Sequence, residues 1–254
     1  MQRPPDRNPT ILFSRSAADW IRNVQQKHKE LIELRLTAEQ QEKVDRLIET
    51  QFVDAALRLE GLEIPASVSS PLMSGASAEQ NASEIDRAAV SLVSALRRVV
   101  AVVRANGKAA TLTPEILLEI HQRDREFRKS AGGGSQARPV PPESLPALIE
   151  IACQWYSAES FAELNPIEQS AIVLLRLTEL QPFEDANQQT ALVAASLFTL
   201  RSELPPIIIK PEMKAAYDNA LVEANRMNTK PMVDVIGESV GSSLGEMIAI
   251  SKKR

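Results

Sequence analysis

Two helical patterns joined by a short acidic loop occupy residues 164–200, and this stretch constrains the fold most strongly. The first pattern opens with Asn165 as a cap, Pro166 in the first helical position and Glu168 closing a capping box. The second, ending at Leu200, is rich in Ala and Leu and apolar almost all round, which is typical of a buried central helix. Because aromatic residues are sparse, at 4%, and strand-like alternation is rare, we predict an all-α fold.

The loop between these helices, residues 181–189, is the first candidate for a functional site. Gln181-Pro182 ends the first helix, because proline lacks an N–H and disfavours helical geometry in the residue before it. Phe183 is a large apolar residue among polar ones, so we expect it to anchor the loop to the core. Asn187 is predicted to cap the second helix, whose outward N–H groups would suit an anion.

Composition narrows the class of protein. The chain has 254 residues with 44% hydrophobic and 24% charged residues, as in a soluble globular protein of one large or two small domains. A net charge of −4 argues against broad nucleic-acid binding. The single Cys153 fits a reducing compartment, and no apolar run is long enough to span a bilayer. We therefore expect a cytoplasmic protein with neither nucleic-acid nor membrane partners.

Three regions are predicted along the chain. Residues 1–15 read as an extended arm rich in Pro and Arg, residues 16–80 as an N-terminal helical region, and residues 81–254 as the core domain. Within the helical region, Thr37 opens a capping box for a helix that Gly61 would stop.

A flap is predicted in the middle of the core domain. Thr113-Pro114 starts a helix that reaches about Phe127, and Ala131–Ser135 then forms a Gly-rich hinge followed by prolines. This segment is the best candidate for a mobile flap or short β-hairpin. Further helices are expected over Ser144–Tyr156, Pro211–Arg226 and Lys230–Ile250.

The loop sequence carries a family resemblance. The run QPFEDANQQTAL at 181–192 resembles the motif HPFx[DE]GNGRxxR of the Fic (Fic/Doc) family, whose enzymes usually transfer AMP from ATP to a protein hydroxyl. Pro182, Phe183, Asp185 and Asn187 match the motif. The histidine, both glycines and both arginines are replaced, in that order, by Gln181, Ala186, Gln188, Gln189 and Leu192. The resemblance implies a Fic-like helical fold with a short β-hairpin flap, a central buried helix after the loop, and a rewritten active centre.

The resemblance extends to other segments. ALRLEG at 56–61 is similar to the family's inhibitory helix, which makes Glu60 a candidate regulatory residue; we expect it to pair with Arg58 or Arg128 or to face solvent. The segments around Tyr217 and Asn225 resemble the helix that closes over adenine in nucleotide-binding members. The region after Leu112 resembles the flap that docks the target, which implies a peptide or protein partner in a groove there.

The replaced residues change what the loop can do chemically. Gln181 cannot act as a base, and His121, the nearest alternative in the family's layout, reads more simply as a structural histidine. The phosphate cradle would be formed by Ala186, Asn187, Gln188 and Gln189. Compared with the family motif, this cradle lacks both glycines, at 186 and 188, and the arginine at 189. We therefore expect no cofactor, although the family uses ATP and Mg²⁺. Asp185 and Glu184 are the remaining metal-ligand candidates, and an acidic pair before a helix N-terminus is the simpler interpretation.

Three functions remain open from the sequence. The first is a degenerate Fic protein without AMP transfer that acts as a binding or regulatory module. The second is a Fic-type transferase with an altered donor or mechanism, using Asp185 or Glu184. The third is a purely structural protein that forms homo-oligomers.

Overall fold

A computed structural model describes residues 15–62, 84–121, 126–130 and 140–252. The predicted N-terminal arm lies outside the described residues except for its last residue, Arg15, which begins a helix. The Gly-rich segment 131–135, on which the β-hairpin flap was predicted, also lies outside them.

The described part of the chain contains ten α-helices and no strand, which confirms the all-α prediction. They are α1 (Arg15–Glu33), α2 (Ala38–Leu59), α3 (Glu84–Asn106), α4 (Pro114–His121), α5 (Leu145–Tyr156), α6 (Glu159–Ala162), α7 (Pro166–Leu180), α8 (Asn187–Leu200), α9 (Lys214–Ala224) and α10 (Lys230–Lys252).

The predicted capping signals are present where the sequence placed them. Thr37 accepts a hydrogen bond from the Gln40 backbone at 3.2 Å, and the Gln40 side chain accepts one from the Thr37 backbone at 3.0 Å. Asn165 and Glu168 form the same reciprocal arrangement at the start of α7. Gly61 follows α2 with φ +79°, so it provides the left-handed stop that the sequence predicted.

The helix that begins at Pro114 is described as far as His121, and residues 122–125 lie outside the described residues. Phe127, which the predicted helix was expected to reach approximately, has irregular backbone. The Arg128 backbone N–H donates to the Pro182 carbonyl at 2.8 Å, which ties this segment to the loop before α8.

The central helix is α8, as the sequence predicted. All residues from Gln189 to Thr199 are buried. It packs chiefly against α7 and α3, with α4 and α2 also in contact. One hydrophobic core includes residues from both the predicted helical region 16–80 and the core domain 81–254. None of the helices in the described ranges combines the length and the apolar character needed to cross a membrane.

A close parallel contact joins α1 to α10, and we call it the α1–α10 seam. Gly237, Gly241 and Gly245 recur at every fourth position of α10 and face α1. A Cβ added at Gly237 would lie 2.3 Å from the Trp20 ring, so the ring occupies the space of the missing side chain. The Trp20 indole N–H donates to Asp234 at 3.0 Å, which fixes the ring in that notch.

Candidate functional site

The loop between α7 and α8, residues 181–189, is the candidate site and is called the motif loop below. Gln181 ends α7 with φ +43°, and Ala186 precedes α8 with φ +47°. A left-handed conformation costs a residue with a Cβ roughly 1–2 kcal/mol. Tertiary contacts must therefore hold the loop in this shape at both of its ends.

Asn187 closes the loop internally. Its side-chain oxygen accepts from the Phe183 backbone N–H at 2.9 Å, and its side-chain nitrogen donates to the Phe183 carbonyl at 2.8 Å. The prediction that Asn187 caps α8 is therefore wrong, because it is the first helical residue and its amide serves the preceding loop. Ala186 occupies the cap position without a side-chain hydrogen bond.

Phe183 anchors the motif loop to the core, as predicted, since only 1% of the side chain is exposed. Its ring stacks on the His121 ring with centroids 3.7 Å apart and planes 5° from parallel. His121 is itself buried, and its Nδ1 lies 3.1 Å from the Thr190 hydroxyl. His121 thus joins α4 to the loop and to the first turn of α8, which supports the structural interpretation of this residue.

Arg128 is a site residue that sequence reasoning did not select. Its side chain is buried and donates to three backbone carbonyls, those of Gln181 at 2.6 Å, Ser130 at 2.6 Å and Val140 at 2.7 Å. One guanidinium therefore holds the start of the motif loop and two further backbone positions together. No local pattern marks these partners, because two of the three are remote in sequence.

Glu184 binds protein donors of the segment 126–130. Its carboxylate accepts from the Ser130 hydroxyl at 2.6 Å and from the backbone N–H groups of Ser130 and Lys129, each at 3.2 Å. These hydrogen bonds, the one from the Ser130 hydroxyl first, lower the pKa of Glu184 below its usual value. Glu184 thus fastens the motif loop to the segment that contains Arg128.

Glu60 meets the motif loop through an amide. The Gln189 side-chain nitrogen donates to the Glu60 carboxylate at 2.8 Å. Glu60 is exposed, which agrees with the solvent-facing alternative of the prediction. Of its two expected partners, Arg58 binds Asp54 and Arg128 donates to backbone carbonyls. Gln189 stands where the family motif has arginine, and its neutral amide is a suitable hydrogen-bond donor to the Glu60 carboxylate.

Gln188 forms a hydrogen bond with Tyr217, one of the two residues predicted to lie near an adenine. Its amide nitrogen donates to the Tyr217 hydroxyl at 3.2 Å, and burial raises the pKa of the fully buried Tyr217 to about 12. Gln188 is helical, so the left-handed backbone expected at the two former glycine positions occurs only at Ala186. Asn225 is exposed at the C-terminal end of α9, consistent with a helix-ending role.

The remaining predicted positions divide between core and surface. Leu192 is buried at 1% exposure, so the place of the family's second arginine belongs to the hydrophobic core. Asp185 is exposed at the tip of the motif loop. Within the described residues, no three His, Cys, Asp or Glu side chains come together in an arrangement that could hold a metal ion.

A cavity of about 610 Å³ opens beside the motif loop. We call it the flap groove, and its described lining residues are Leu118, Glu126, Phe127, Arg128, Lys129, Pro142, Glu143 and Pro146. Its walls combine apolar surface with exposed charges of both signs, and Arg128 links it directly to the motif loop.

Part of this chain matches a known protein family. The model of the Fic/DOC family matches residues 111–199, which run from just before α4 almost to the end of α8. The chain is 32% identical over 114 residues to protein adenylyltransferase fic-1 of Caenorhabditis elegans, and 25% identical over 142 residues to protein adenylyltransferase Fic of Drosophila melanogaster. These matches cover 45% and 52% of this chain but only 22% and 29% of the relatives.

Solved structures agree on the fold over nearly the whole chain. A Fic domain containing signaling protein from Bacteroides thetaiotaomicron superposes with a TM-score of 0.79 at 21% identity, covering 91% of this chain and 98% of that one. Residues 134–508 of Fic-1 from C. elegans give a TM-score of 0.77 at 23% identity, covering 92% and 71%. Residues 111–199 of this chain thus match the Fic/DOC family, and the fold of Fic-domain structures extends over nearly the whole chain.

Proposed function

We propose that this chain is a Fic-fold binding module that does not transfer AMP and that holds a peptide or protein partner in the flap groove. The observation that carries the proposal is a pair of hydrogen bonds made by the first turn of α8. The side-chain amide of Gln188 donates to the Tyr217 hydroxyl, and that of Gln189 donates to the Glu60 carboxylate.

The position of the general base supports the proposal. Gln181 stands where the family motif has histidine, and an amide cannot accept a proton at physiological pH. A positioned general base contributes about 10²–10⁴-fold to a rate, so its absence alone would make transfer very slow. His121 is a poor substitute, because it is buried between Phe183 and Thr190.

The surroundings of the loop do not fit a triphosphate. The family motif has an arginine at the position of Gln189, and here the neutral amide of Gln189 lies against the Glu60 carboxylate. Leu192 is packed in the core, and Ala186 adds a methyl at the left-handed position of the turn. A lost charge-assisted hydrogen bond weakens anion binding by about 1.5–3 kcal/mol, so two absent arginines weigh heavily.

The flap groove offers the features of a peptide site. Phe127, Pro142 and Pro146 provide apolar surface, and the exposed pair Glu126–Lys129 lies at its edge. The Arg128 hydrogen bonds fix one wall before any partner arrives, and such pre-organisation lowers the entropic cost of binding.

The names of two relatives bear on the alternative function, a Fic-type transferase with an altered donor or mechanism. Both matched relatives are named protein adenylyltransferase, but the chain spans less than a third of either. A transferase with altered chemistry would rely on Asp185 or Glu184. Glu184 accepts hydrogen bonds from Ser130 and Lys129, and Asp185 is exposed at the tip of the motif loop.

Titration calorimetry with ATP and Mg²⁺ tests the proposal. We expect no binding in the micromolar range for the natural chain. The variant Gln181→His with Gln189→Arg, which supplies a base and a cation at the motif positions, should gain measurable affinity. Micromolar binding by the natural chain would contradict the proposal.

Mass spectrometry of proteins incubated with varied nucleotide donors tests the alternative. We expect no modification by the natural chain. Modification that disappears in Asp185→Asn would support a transferase and overturn the binding-module proposal.

A further inference from the structure

A second cavity lies between α2 and α3. Its volume is about 630 Å³, and its described lining residues include none from the motif loop or the flap groove. The floor is aliphatic and includes Leu96, Leu204 and Met247. We call this cavity the α2–α3 groove.

The two long walls of the α2–α3 groove carry opposite charges. The α2 wall presents Glu42, Asp45 and Glu49, whose spacing of three and four residues places them on one helical face. Arg46 also lines this wall, so acidic residues predominate on it without being the only charges. The α3 wall presents Arg97 and Arg104, one heptad apart on the facing helix. The groove is thus apolar along its floor, acidic along one side and basic along the other.

Ion pairs account for several of the charges that line the groove. Arg97 of the α3 wall binds Glu49 of the α2 wall through two hydrogen bonds of 2.6 and 2.9 Å, so this pair joins the two helices. Glu203, which follows α8, also lines the groove. Glu42 is paired with Arg46 on its own helix. Among the described residues, Asp45 and Arg104 lie on opposite walls and neither forms an ion pair, since Asp45 accepts only from the Gln41 amide.

The lining chemistry distinguishes between kinds of occupant. No aromatic side chain occurs among the described lining residues, so the groove lacks the surfaces on which nucleic-acid bases stack or polyproline segments dock. An aliphatic floor between two helices suits the apolar face of a third helix, and charged flanks fix how that helix is oriented.

We propose that the α2–α3 groove docks an amphipathic helix of a partner protein, with basic residues on the flank facing Asp45 and acidic residues on the flank facing Arg104. The inference does not depend on the flap groove or on the state of the motif loop. It assigns the protein a second recognition surface.

A displayed peptide library tests the proposal. The library fixes leucines at helical positions i, i+4 and i+7 and randomises both flanks among Lys, Glu and Ser. Selection is made on the full chain. Binding of the enriched peptides is measured by fluorescence anisotropy against Ala101→Glu, which places a charge at an exposed position in the middle of the groove. Ala147→Glu, an exposed alanine of α5, is the matched control.

Enriched peptides should carry Lys on one flank and Glu on the other. They should lose about tenfold or more in affinity for Ala101→Glu and keep it for Ala147→Glu. Asp45→Lys should also weaken them about tenfold, and replacing the Lys flank of the peptide by Glu should restore binding.

Three results would overturn the proposal: no enrichment, peptides with a single charge sign on both flanks, or equal affinity for Ala101→Glu and the natural chain. A peptide that instead competes for the flap groove would support the proposed function while removing this inference. The two proposals therefore fail separately.

Discussion

The motif loop and the α1–α10 seam use glycine in opposite ways. The family motif has glycine at two loop positions where this chain has Ala186 and Gln188, and the loop still adopts a left-handed turn at Ala186. In the seam, Gly237 has an ordinary helical backbone, yet the Trp20 ring occupies the place of its side chain. The loop thus accommodates a strained backbone at Ala186, whereas the seam leaves no space for a side chain at Gly237.

This difference follows from the kind of energy involved. A left-handed alanine costs about 1–2 kcal/mol, which the contacts of Arg128, Asn187 and Phe183 can offset. A side chain at Gly237 would overlap an aromatic ring, and the ring cannot move without losing the Trp20–Asp234 hydrogen bond. Neighbouring residues therefore hold the left-handed turn at Ala186 without a glycine there.

The largest effect is expected on the loop side, from Arg128→Met. The substitution leaves the carbonyls of Gln181, Ser130 and Val140 without their donor. We expect a loss of about 3–5 kcal/mol in the free energy of unfolding, measured by urea denaturation. The control Arg98→Met removes an exposed ion pair with Glu119 and should cost at most about 1 kcal/mol. Equal losses would show that the Arg128 contacts do not hold the loop.

The seam is tested by Gly237→Ala. The added methyl would approach three Trp20 ring atoms at 2.3–2.8 Å, so α1 must shift. Overpacking of this kind costs about 1–3 kcal/mol, and tryptophan fluorescence should report the displaced ring. Gly245→Ala is the matched control, because its nearest neighbour is the flexible end of Lys27 at 3.1 Å. A similar loss in both variants would contradict the role assigned to the Trp20 notch.

A smaller effect of opposite sign is expected from Ala186→Gly. Glycine relieves the left-handed strain but adds conformational freedom to the unfolded chain, so we expect a gain of up to about 1 kcal/mol. Ala191→Gly, inside the buried α8, should instead destabilise by about 1 kcal/mol or more. Thermal and urea denaturation measure both changes. A loss at Ala186 would mean that its methyl group stabilises the loop.

The smallest effect concerns Glu184 and pH. Its pKa is lowered in the folded state, so its contribution to stability is present above the unfolded pKa of about 4.3 and is lost as the pH falls through the lower folded value. Glu184→Gln should therefore be less stable than the natural chain at pH 7, and the two should converge in acid. A difference that does not change with pH would rule out this linkage.

Short-range sequence patterns correctly predicted the helix ends that depend on neighbouring residues. The boxes at Thr37 and Asn165 and the stop at Gly61 rest on neighbours within four residues, and each is present in the structure. The apolar run 191–200 predicted the buried central helix for the same reason.

The predictions that the structure changed concern side-chain pairing. Asn187 is a residue type suited to capping, but its amide binds the backbone of Phe183, and Glu60 accepts from Gln189, which is remote in sequence. The sequence suggested Arg128 only as a possible partner of Glu60, because two of its three carbonyl partners belong to remote segments. The sequence identified candidate residues by their side-chain type, but their hydrogen-bond partners could be assigned only from the tertiary structure.

The parallel pairing of α1 with α10 has a consequence for biosynthesis. Trp20 leaves the ribosome long before Gly237, because its notch at Gly237 lies more than two hundred positions later in the chain. The aromatic side chain and the apolar face around it therefore stay exposed until α10 has been synthesised. Contacts so far apart in sequence form slowly, and the nascent chain is open to aggregation or chaperone capture during that interval.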